Sequence, residues 1–395
     1  MSGTPFVARR HFILGAAGAG TLAGLGGRAT GAAEGATRLP DYVSWKDPET
    51  LIVHSPRTLE MKRDAFGSSG VTPADQLYIR NNLPAPDARI VQDRDAWEVS
   101  FEGVRNPRSM TLGELRQLGV ESVAAVLQCS GNGRAFFDHQ ASGTQWTVGA
   151  AGNLFWSGVP LRRVAEALGG VADGRRFITA RGGEALPDGI DPNTVMVERS
   201  VPLAALDRAL LAWEMNGSPV PLAHGGPLRL VLPGYYGINN VKYVKRLAFT
   251  EQESEAAIQR TGYRVRPVGQ RGAPDQPSMW EMAVKSWVTH PLRETENGPV
   301  QILGVAFGGD KALRRVEVST DGGTNWREAR LLGPDLGRFA WRPFALQAEL
   351  PAGSHLVASR ATDAEGNTQP ETFPPNERGY AHNGWRDHAV EVTVG

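Results

Sequence analysis

The spacing of apolar residues predicts several strands in the first two thirds of the chain. WEVSFEG, residues 97–103, alternates apolar and polar positions as a half-buried strand does. ESVAAVLQ, residues 121–128, is a continuous apolar run, which is typical of a strand buried on both faces. PLRLVLPG, residues 227–234, predicts another buried strand that ends at Pro-Gly.

Helical spacing of apolar residues occurs in three other segments. TLGELRQLG (111–119) and PLRRVAEALG (160–169) each end in glycine, and VPLAALDRALLAWEMNG (201–217) ends at Asn-Gly. Strands and helices mix here without a regular βαβ repeat, so we predict the α+β class. Residues 34–75 are polar in pattern, and we expect them to run extended over the surface.

Strand patterns dominate after a Pro- and Gly-rich hinge at residues 271–279. Val316 and Val318 alternate with polar residues, and Asp321-Gly322 is a hairpin signal. About seven short strands predict an all-β, immunoglobulin-like sandwich over residues 279–395. This segment lacks the cysteine pair of antibody domains.

The first 33 residues have the order of an export signal. Arg9-Arg10 precede a weakly apolar run, and small residues follow near Ala33. The paired arginines indicate the twin-arginine route, which exports folded proteins. The run is too short and too rich in glycine to span a bilayer. We therefore expect a signal peptide at 1–33, a periplasmic or otherwise exported protein, and no membrane span.

Composition excludes several kinds of function. The 42 Lys and Arg balance the 42 Asp and Glu, which gives no indication of a nucleic-acid partner. The single cysteine, Cys129, cannot form an internal disulfide or hold an iron–sulfur cluster alone. No C-x-x-C-H, H-E-x-x-H or G-x-S-x-G sequence occurs. The sequence therefore offers neither an intrinsic haem or cluster nor a familiar zinc or serine-nucleophile site.

Three separated motifs, in order, resemble the sulfite oxidase family of molybdenum enzymes: LQCSGNGR, HGGPLRLVLPGYYG and NNVKYVKRL. The resemblance extends from about Leu77 to the C-terminus and is strongest to exported bacterial sulfite dehydrogenases. It implies a molybdopterin-binding catalytic domain at 34–270 and a dimerisation domain at 279–395. It also implies that Cys129 is the protein's ligand to the metal, bound beside two dithiolene sulfurs. A lone buried cysteine that only packs is the alternative.

The resemblance implies a substrate pocket for a small oxyanion. Arg80, Arg134 and Arg378 match three pocket arginines of the family, and guanidinium groups suit oxyanions. Trp146 matches a tryptophan of the pocket wall, and Tyr263 matches a tyrosine near the reacting oxygen. From sequence alone, the alternative for any one of these arginines is a surface salt bridge, and Tyr263 could equally be a packing residue.

The cofactor contacts implied by the resemblance are His224, Arg229, Lys242 and Asn82. Arginine and lysine suit the cofactor's phosphate, and histidine can bond the pterin edge. Two positions depart from the family pattern. Asn82 stands in place of a histidine, and Asn239 stands where many relatives have an arginine. Less positive charge near the pocket would alter the affinity or change the substrate.

The resemblance implies molybdenum–molybdopterin as cofactor and the oxidation of sulfite to sulfate. Electrons would pass one at a time to an external c-type cytochrome, and the chain would form a homodimer. One alternative keeps the cofactor but takes sulfane sulfur, a sulfoxide or nitrate as substrate. Another is an exported binding protein without catalysis.

Overall fold

The computed structural model describes residues 38–395, which form mostly β-structure. The α-helices among these residues are short: α1 Leu112–Arg116, α2 Leu161–Ala167 and α3 Pro192–Val195. The predicted α+β class therefore overstated the helical content. No helix in this part of the chain is long and apolar enough to cross a membrane. The signal peptide predicted at 1–33 lies outside the described residues.

The strands before residue 271 form three sheets. They are β1 Leu51–Ser55, β2 Thr58–Met61, β3 Ile79–Arg80, β4 Glu98–Glu102, β5 Arg108–Thr111, β6 Glu121–Gln128, β7 Ala151–Pro160, β8 Phe177–Gly182, β9 Glu198–Pro202, β10 Leu210–Met215, β11 Ser218–Pro219, β12 Arg229–Val231 and β13 Val244–Thr250. The sheet orders are β1-β2-β3, β11-β10-β7-β6 with β12 on β10, and β5-β4-β13-β8-β9. Within these sheets β4 and β13 run parallel, and the other described pairs are antiparallel.

The predicted strands at 97–103, 121–128 and 227–234 are confirmed as β4, β6 and β12. The helix predicted over 201–217 is wrong. Only Leu203–Arg208 forms a 3-10 helix, and the following residues are strand β10. This strand pairs with β7 along one edge and with β11 and β12 along the other, and most of its side chains are buried. Tertiary pairing has overridden a helical apolar period here.

The prediction that residues 34–75 lie extended on the surface is also wrong. Leu51, Met61 and Phe66 are almost fully buried. The Phe66 ring lies 5.3 Å from that of Trp287 and 5.7 Å from that of Trp341, both of which follow the predicted hinge. This early segment therefore forms part of a core shared with the C-terminal region, and the domain boundaries stay a prediction.

The C-terminal region consists of two sheets. Its strands are β14 Lys285–His290, β15 Glu294–Thr295, β16 Gly298–Phe307, β17 Leu313–Ser319, β18 Arg327–Glu328, β19 Arg330–Leu331, β20 Arg342–Leu350, β21 Gly353–Asp363 and β22 Val390–Val394. The orders are β14-β16-β20-β19 and β15-β22-β21-β17-β18. One apolar cluster takes residues from both sheets, including Ile302, Phe344, Val316 and Val392. The all-β prediction is confirmed; an immunoglobulin-like topology stays a prediction.

Candidate active site

A cavity of about 640 Å³, its mouth included, opens beside Cys129. Segments distant in sequence form its wall: Tyr78, Arg80, Asn81, Asn82, Leu127, Cys129, Ser130, Glu184, Val197, His224, Arg229, Gly237, Ile238, Asn240, Val241, Lys242 and Tyr263. Seven of the ten predicted site residues are among them. They are Arg80, Asn82, Cys129, His224, Arg229, Lys242 and Tyr263.

The turn that bears Cys129 starts where the buried strand β6 ends. The Cys129 amide donates to the carbonyl of Ala150 at 2.9 Å, and the Asn132 amide donates back to the carbonyl of Cys129 at 3.0 Å. The Asn132 side chain donates to Gln128 and accepts from the Ala150 amide. The cysteine is 9% exposed. The turn therefore fixes the thiol at the cavity wall while leaving a small part of it accessible.

Two contacts from the C-terminal region fix the same turn. The Lys285 ammonium donates to the carbonyls of Asn132 at 3.0 Å and of His382 at 2.7 Å. Gly133 has a φ of +100°, and a Cβ there would lie 2.9 Å from the Cβ of His382. Position 133 therefore requires glycine for both backbone conformation and space.

The HGGP segment brings the predicted cofactor residues together. His224 ends a short 3-10 helix at Gly225, whose φ is +105° and whose added Cβ would lie 2.8 Å from Lys242. The Arg229 guanidinium donates to the His224 carbonyl at 2.7 Å. The Lys242 ammonium donates to Asn81 at 2.5 Å and to the Ala223 carbonyl at 2.6 Å. These contacts hold three cationic or ionisable side chains on one wall.

Arg80 and Asn82 line the cavity as a hydrogen-bonded pair. The Arg80 guanidinium donates to the Asn82 side-chain oxygen at 2.7 Å and to the carbonyl of Asn81 at 2.5 Å. Asn82, which we expected to contact the cofactor, therefore orients Arg80, which we expected to contact the substrate anion. Tyr263 closes the cavity from another side, and its ring stacks on that of Tyr380 at 5.2 Å.

Arg134, Trp146 and Arg378 do not line this cavity; Arg134 lies behind its wall against Gly131 of the cysteine turn, and Trp146 lies behind Tyr78. The Arg134 guanidinium donates to the carbonyls of Arg378 and Thr144, both at 2.8 Å. Trp146 is fully buried, 6.3 Å from the ring of Tyr78. The structure thus brings Arg134 and Arg378 together, but Arg80 alone of the three predicted arginines reaches the cavity.

The cavity wall is electropositive and poorly solvated. Burial lowers the pKa of Arg229 to about 10. Burial, followed by the charges of Arg229 and other neighbours, lowers the pKa of Lys242 well below its ordinary value. His224 has a pKa far below its usual range because it is buried and faces Lys46, Lys242 and Arg229, so it is neutral at pH 7. Among the described residues, neither Arg229 nor Lys242 forms a salt bridge with a carboxylate.

Comparison with known proteins gives two family matches along the chain. Residues 84–258 match the oxidoreductase molybdopterin binding domain, and residues 276–394 match the Mo-co oxidoreductase dimerisation domain. Sulfite oxidase of Arabidopsis thaliana is 30% identical over 373 residues, which cover 86% of this chain and 92% of the plant protein.

The chain belongs to the sulfite oxidase family.

Other members of the sulfite oxidase family align over most of the chain. Mitochondrial sulfite oxidase of Rattus norvegicus is 33% identical over 362 residues, 86% of this chain. The chain spans 64% of that protein's length. An inducible NADH nitrate reductase of Glycine max is 30% identical over 365 residues, 82% of this chain and 41% of the reductase. Thus relatives with different named activities share the matched region.

A solved structure has the same fold. The sulfane dehydrogenase SoxCD from Paracoccus pantotrophus matches with a TM-score of 0.72 and 26% identity, over 87% of this chain and 88% of that chain. The match extends over both the cavity-bearing region and the C-terminal sheets.

The cavity fits the molybdopterin cofactor that the sulfite oxidase family implies. His224 Nε2 and Ser130 Oγ are buried and, within residues 38–395, have no hydrogen-bond partner. Buried polar atoms are normally bonded, so these two atoms indicate a ligand in the cavity. Arg229 and Lys242 add buried positive charge, which favours an anionic phosphate. Cys129 supplies the thiolate type of ligand that soft metals favour.

Sequence reasoning missed three ionisable residues around the site. Glu184 lines the cavity, and burial raises its pKa to about 7 against the opposing effect of Lys242. Lys285 bonds the cysteine turn, and Arg199 lies behind Tyr263. None is part of a motif, and each acts through tertiary contacts. The only sequence signal is a charged residue inside or beside a strand, as in VERSVP at residues 197–202.

Proposed function

We propose that this chain oxidises sulfite to sulfate with molybdenum–molybdopterin and passes the electrons to an external c-type cytochrome. The main support is the cavity: it places the only thiol of the chain beside buried cations and unpaired polar atoms. Membership in a family that contains sulfite oxidases supports the substrate class.

Six residues that line the cavity have a defined part in this proposal. Cys129 holds the metal through its thiolate. Arg229 and Lys242 bind the cofactor's phosphate, and neutral His224 bonds the pterin through Nε2. When bound, the cofactor supplies transfer of an oxygen atom and storage of the two electrons released. Asn82 holds Arg80, whose guanidinium faces the cofactor side.

Positive charge prepares the cavity for the substrate anion before reaction. Arg80 contributes from the wall, and Arg134 contributes from the layer behind it, where the carbonyl of Arg378 holds its guanidinium. Fixed charges and donors of this kind need no reorganisation during the reaction, which is the basis of electrostatic catalysis. Tyr263 faces the same cavity and offers a phenol hydroxyl to an oxyanion. Trp146 excludes water behind the cysteine turn.

We propose that the electrons then leave the chain, since one cysteine cannot hold an iron–sulfur cluster and no C-x-x-C-H motif for attached haem occurs. We propose a c-type cytochrome that binds transiently. The match of residues 276–394 to a dimerisation domain supports a homodimer. We further propose that the first 33 residues direct twin-arginine export to the periplasm, where such cytochromes occur.

Sulfane sulfur is the second candidate substrate. The similarity to the sulfane dehydrogenase SoxCD supports it, and the asparagine at position 82 replaces an ionisable histidine of the family pattern. Similarity to a nitrate reductase keeps nitrate as a further candidate, and sulfoxides remain an alternative with the same cofactor. An exported binding protein would lack stoichiometric molybdenum.

The test is metal analysis combined with a substrate comparison on one preparation. The full chain is produced in a host that makes the cofactor, and molybdenum is measured by elemental analysis. Cytochrome c reduction is then followed with sulfite and thiosulfate, and nitrate and sulfoxide are tested as oxidants of a reduced dye. We expect one molybdenum per chain and the highest kcat/KM with sulfite. Molybdenum without sulfite-dependent reduction would contradict the substrate, and protein without molybdenum would contradict the enzyme.

A further inference from the structure

Arg199 is a fully buried arginine one layer behind the cavity. It lies on β9, between Glu198 and Ser200, and only 1% of it is exposed. Burial lowers its pKa to about 10. A buried guanidinium is expensive to desolvate, and a protein retains one most readily where its charge or its bonds serve a purpose.

The hydrogen-bond acceptors around the Arg199 guanidinium are uncharged oxygens. Its Nε and Nη2 donate to the side-chain oxygen of Asn239 at 3.2 and 3.1 Å. Its Nη1 donates to the Ile258 carbonyl at 2.9 Å, and its Nη2 also donates to Ser278 at 3.0 Å. Among the described residues it has no salt bridge; Glu253, which raises its pKa from a distance, pairs with Arg264. The positive charge of Arg199 is therefore fixed in place and not neutralised by direct contact.

The position of this charge relates it to the cavity. The Arg199 guanidinium carbon lies 5.5 Å from the ring centre of Tyr263, which lines the cavity. Tyr263 stacks almost parallel on Tyr380, with 9° between the rings, and the guanidinium of Arg134 lies 5.5 Å from the ring of Tyr380. Two buried guanidinium groups thus flank a pair of stacked tyrosines, an arrangement that fixes both rings by cation–π attraction.

Asn239 explains how Arg199 fits. The asparagine oxygen accepts two of the guanidinium N–H groups, while its amide nitrogen donates to the Met279 carbonyl at 2.8 Å. An arginine at position 239 has no acceptor atom and would place a second cation against Arg199. Asn239 and Arg199 therefore act as a pair: the asparagine removes one positive charge from position 239 and holds another on β9.

We propose that Arg199 is a positioning residue for the anion site, which holds Tyr263 against the cavity and supplies fixed positive charge from behind it. This assignment rests on the proposed function, because it takes the cavity to bind a sulfur oxyanion. If the assignment is right, the positive charge of Arg199 compensates for the arginine that is absent at position 239.

The experiment compares sulfate binding by calorimetry on cofactor-loaded wild type, Arg199→Met and Arg199→Lys. We expect Arg199→Met to weaken sulfate binding about tenfold, the effect of one charge acting through a medium of intermediate dielectric. The KM for sulfite should rise in parallel while kcat changes less. Arg199→Lys keeps the charge and should recover most of the affinity. A purely structural role would predict no difference between Lys and Met in sulfate affinity at equal molybdenum content.

Asn239→Asp is the second variant. It tests whether the charge of Arg199 supports anion binding even if Arg199→Met does not fold. Its carboxylate keeps an acceptor for Arg199 and neutralises the charge without removing the side chain. We expect sulfate binding to weaken as in Arg199→Met. Unchanged sulfate affinity in the folded charge-removing variants would overturn the assignment.

Sulfate binding also separates this assignment from the proposed reaction. If wild type binds sulfate or thiosulfate but does not oxidise sulfite, the reaction is wrong, and weaker anion binding in the variants still supports Arg199. If wild type binds neither anion, both proposals fail.

Discussion

The cavity-bearing region and the C-terminal sheets bury opposite kinds of side chain. Around the cavity, Arg199, Arg229 and His224 are buried and Lys242 is partly buried, and direct carboxylate partners are scarce among the described residues. Between the C-terminal sheets, the shared cluster consists of Val, Ile, Leu, Ala and Phe side chains. The first arrangement is expensive to fold and suits an anionic ligand, whereas the second stabilises the fold through apolar burial.

From this difference we expect the residues of one region to act mainly on stability and those of the other mainly on binding and turnover. Substitutions between the C-terminal sheets should lower stability and leave the site's chemistry intact. Substitutions around the cavity should alter binding and turnover more than stability, because the charged site is arranged for its ligand at the expense of the fold. Lys285 belongs to both regions, because it lies on β14 and its ammonium donates a hydrogen bond to the Asn132 carbonyl in the cysteine turn.

The largest expected effect on stability is in Phe344→Ala. Phe344 is fully buried between the C-terminal sheets, and a deletion of this kind lowers the free energy of unfolding by about 3–5 kcal/mol. Chemical denaturation measures this loss, with Phe344→Leu as the milder control. The KM for sulfite and the molybdenum content of the folded protein should be unchanged. A shift of KM comparable with that of a cavity variant would contradict the separation of the two regions.

Arg134→Met should change turnover more than it changes the free energy of unfolding, the reverse of Phe344→Ala. Arg134 acts from behind the cavity wall, so loss of its fixed positive charge should reduce kcat/KM about tenfold, or about 1.4 kcal/mol of transition-state free energy. Steady-state kinetics with sulfite, normalised to molybdenum content, measures this effect. Arg386→Met, at a half-exposed position, is the matched control. Near-normal turnover of Arg134→Met would refute the role of Arg134.

Lys285 gives a pH-dependent prediction. Burial lowers its pKa from 10.5 to about 7, so between these values the unfolded chain holds a proton that the folded chain has released. Below pH 7 the folded protein holds Lys285 in its charged form, and the full cost of burying that charge lowers the free energy of unfolding. As pH rises from 7 towards 10, the folded protein holds the neutral amine, and the free energy of unfolding increases. The slope from one such group is at most about 1.4 kcal/mol per pH unit.

Denaturation of wild type and Lys285→Met at a series of pH values measures this slope. The difference between the two proteins isolates Lys285, because the other buried lysines are common to both. Lys285→Met should lack this part of the slope. Parallel stability curves from pH 7 to 10 would contradict the lowered pKa.

The smallest effect is expected for the ion pair of Arg386 with Glu371. Both side chains are about half exposed, and surface pairs contribute about 0–1 kcal/mol. Arg386→Ala should therefore leave the free energy of unfolding almost unchanged. A loss comparable with that of Phe344→Ala would show that this edge of the molecule matters more than its exposure suggests.

The sequence was sufficient to predict the parts of the fold with strong local patterns. The apolar run of β6 and the alternation of β4 predicted those strands, and the turn after β6 identified Cys129. The strand β10 was missed because its apolar residues also fit a helical period. Only its pairing with β7 and β12, which no local pattern reveals, makes it a strand.

The candidate site was predictable where a motif lies on the cavity wall and less so behind it. His224, Arg229 and Lys242 come from two neighbouring motifs and line the cavity as expected. Arg134 was expected in the pocket, but its bonds to two carbonyls hold it behind the wall. Arg199 was missed because its partner Asn239 is 40 residues away in sequence.

The most direct test of the central claim is X-ray absorption spectroscopy at the molybdenum edge on wild type and on Cys129→Ser. The account predicts that wild type has a thiolate ligand in addition to the cofactor's sulfurs, and that the variant has one sulfur ligand fewer and loses turnover. An identical sulfur count in both proteins, with normal turnover of the variant, would contradict the claim that Cys129 binds the metal.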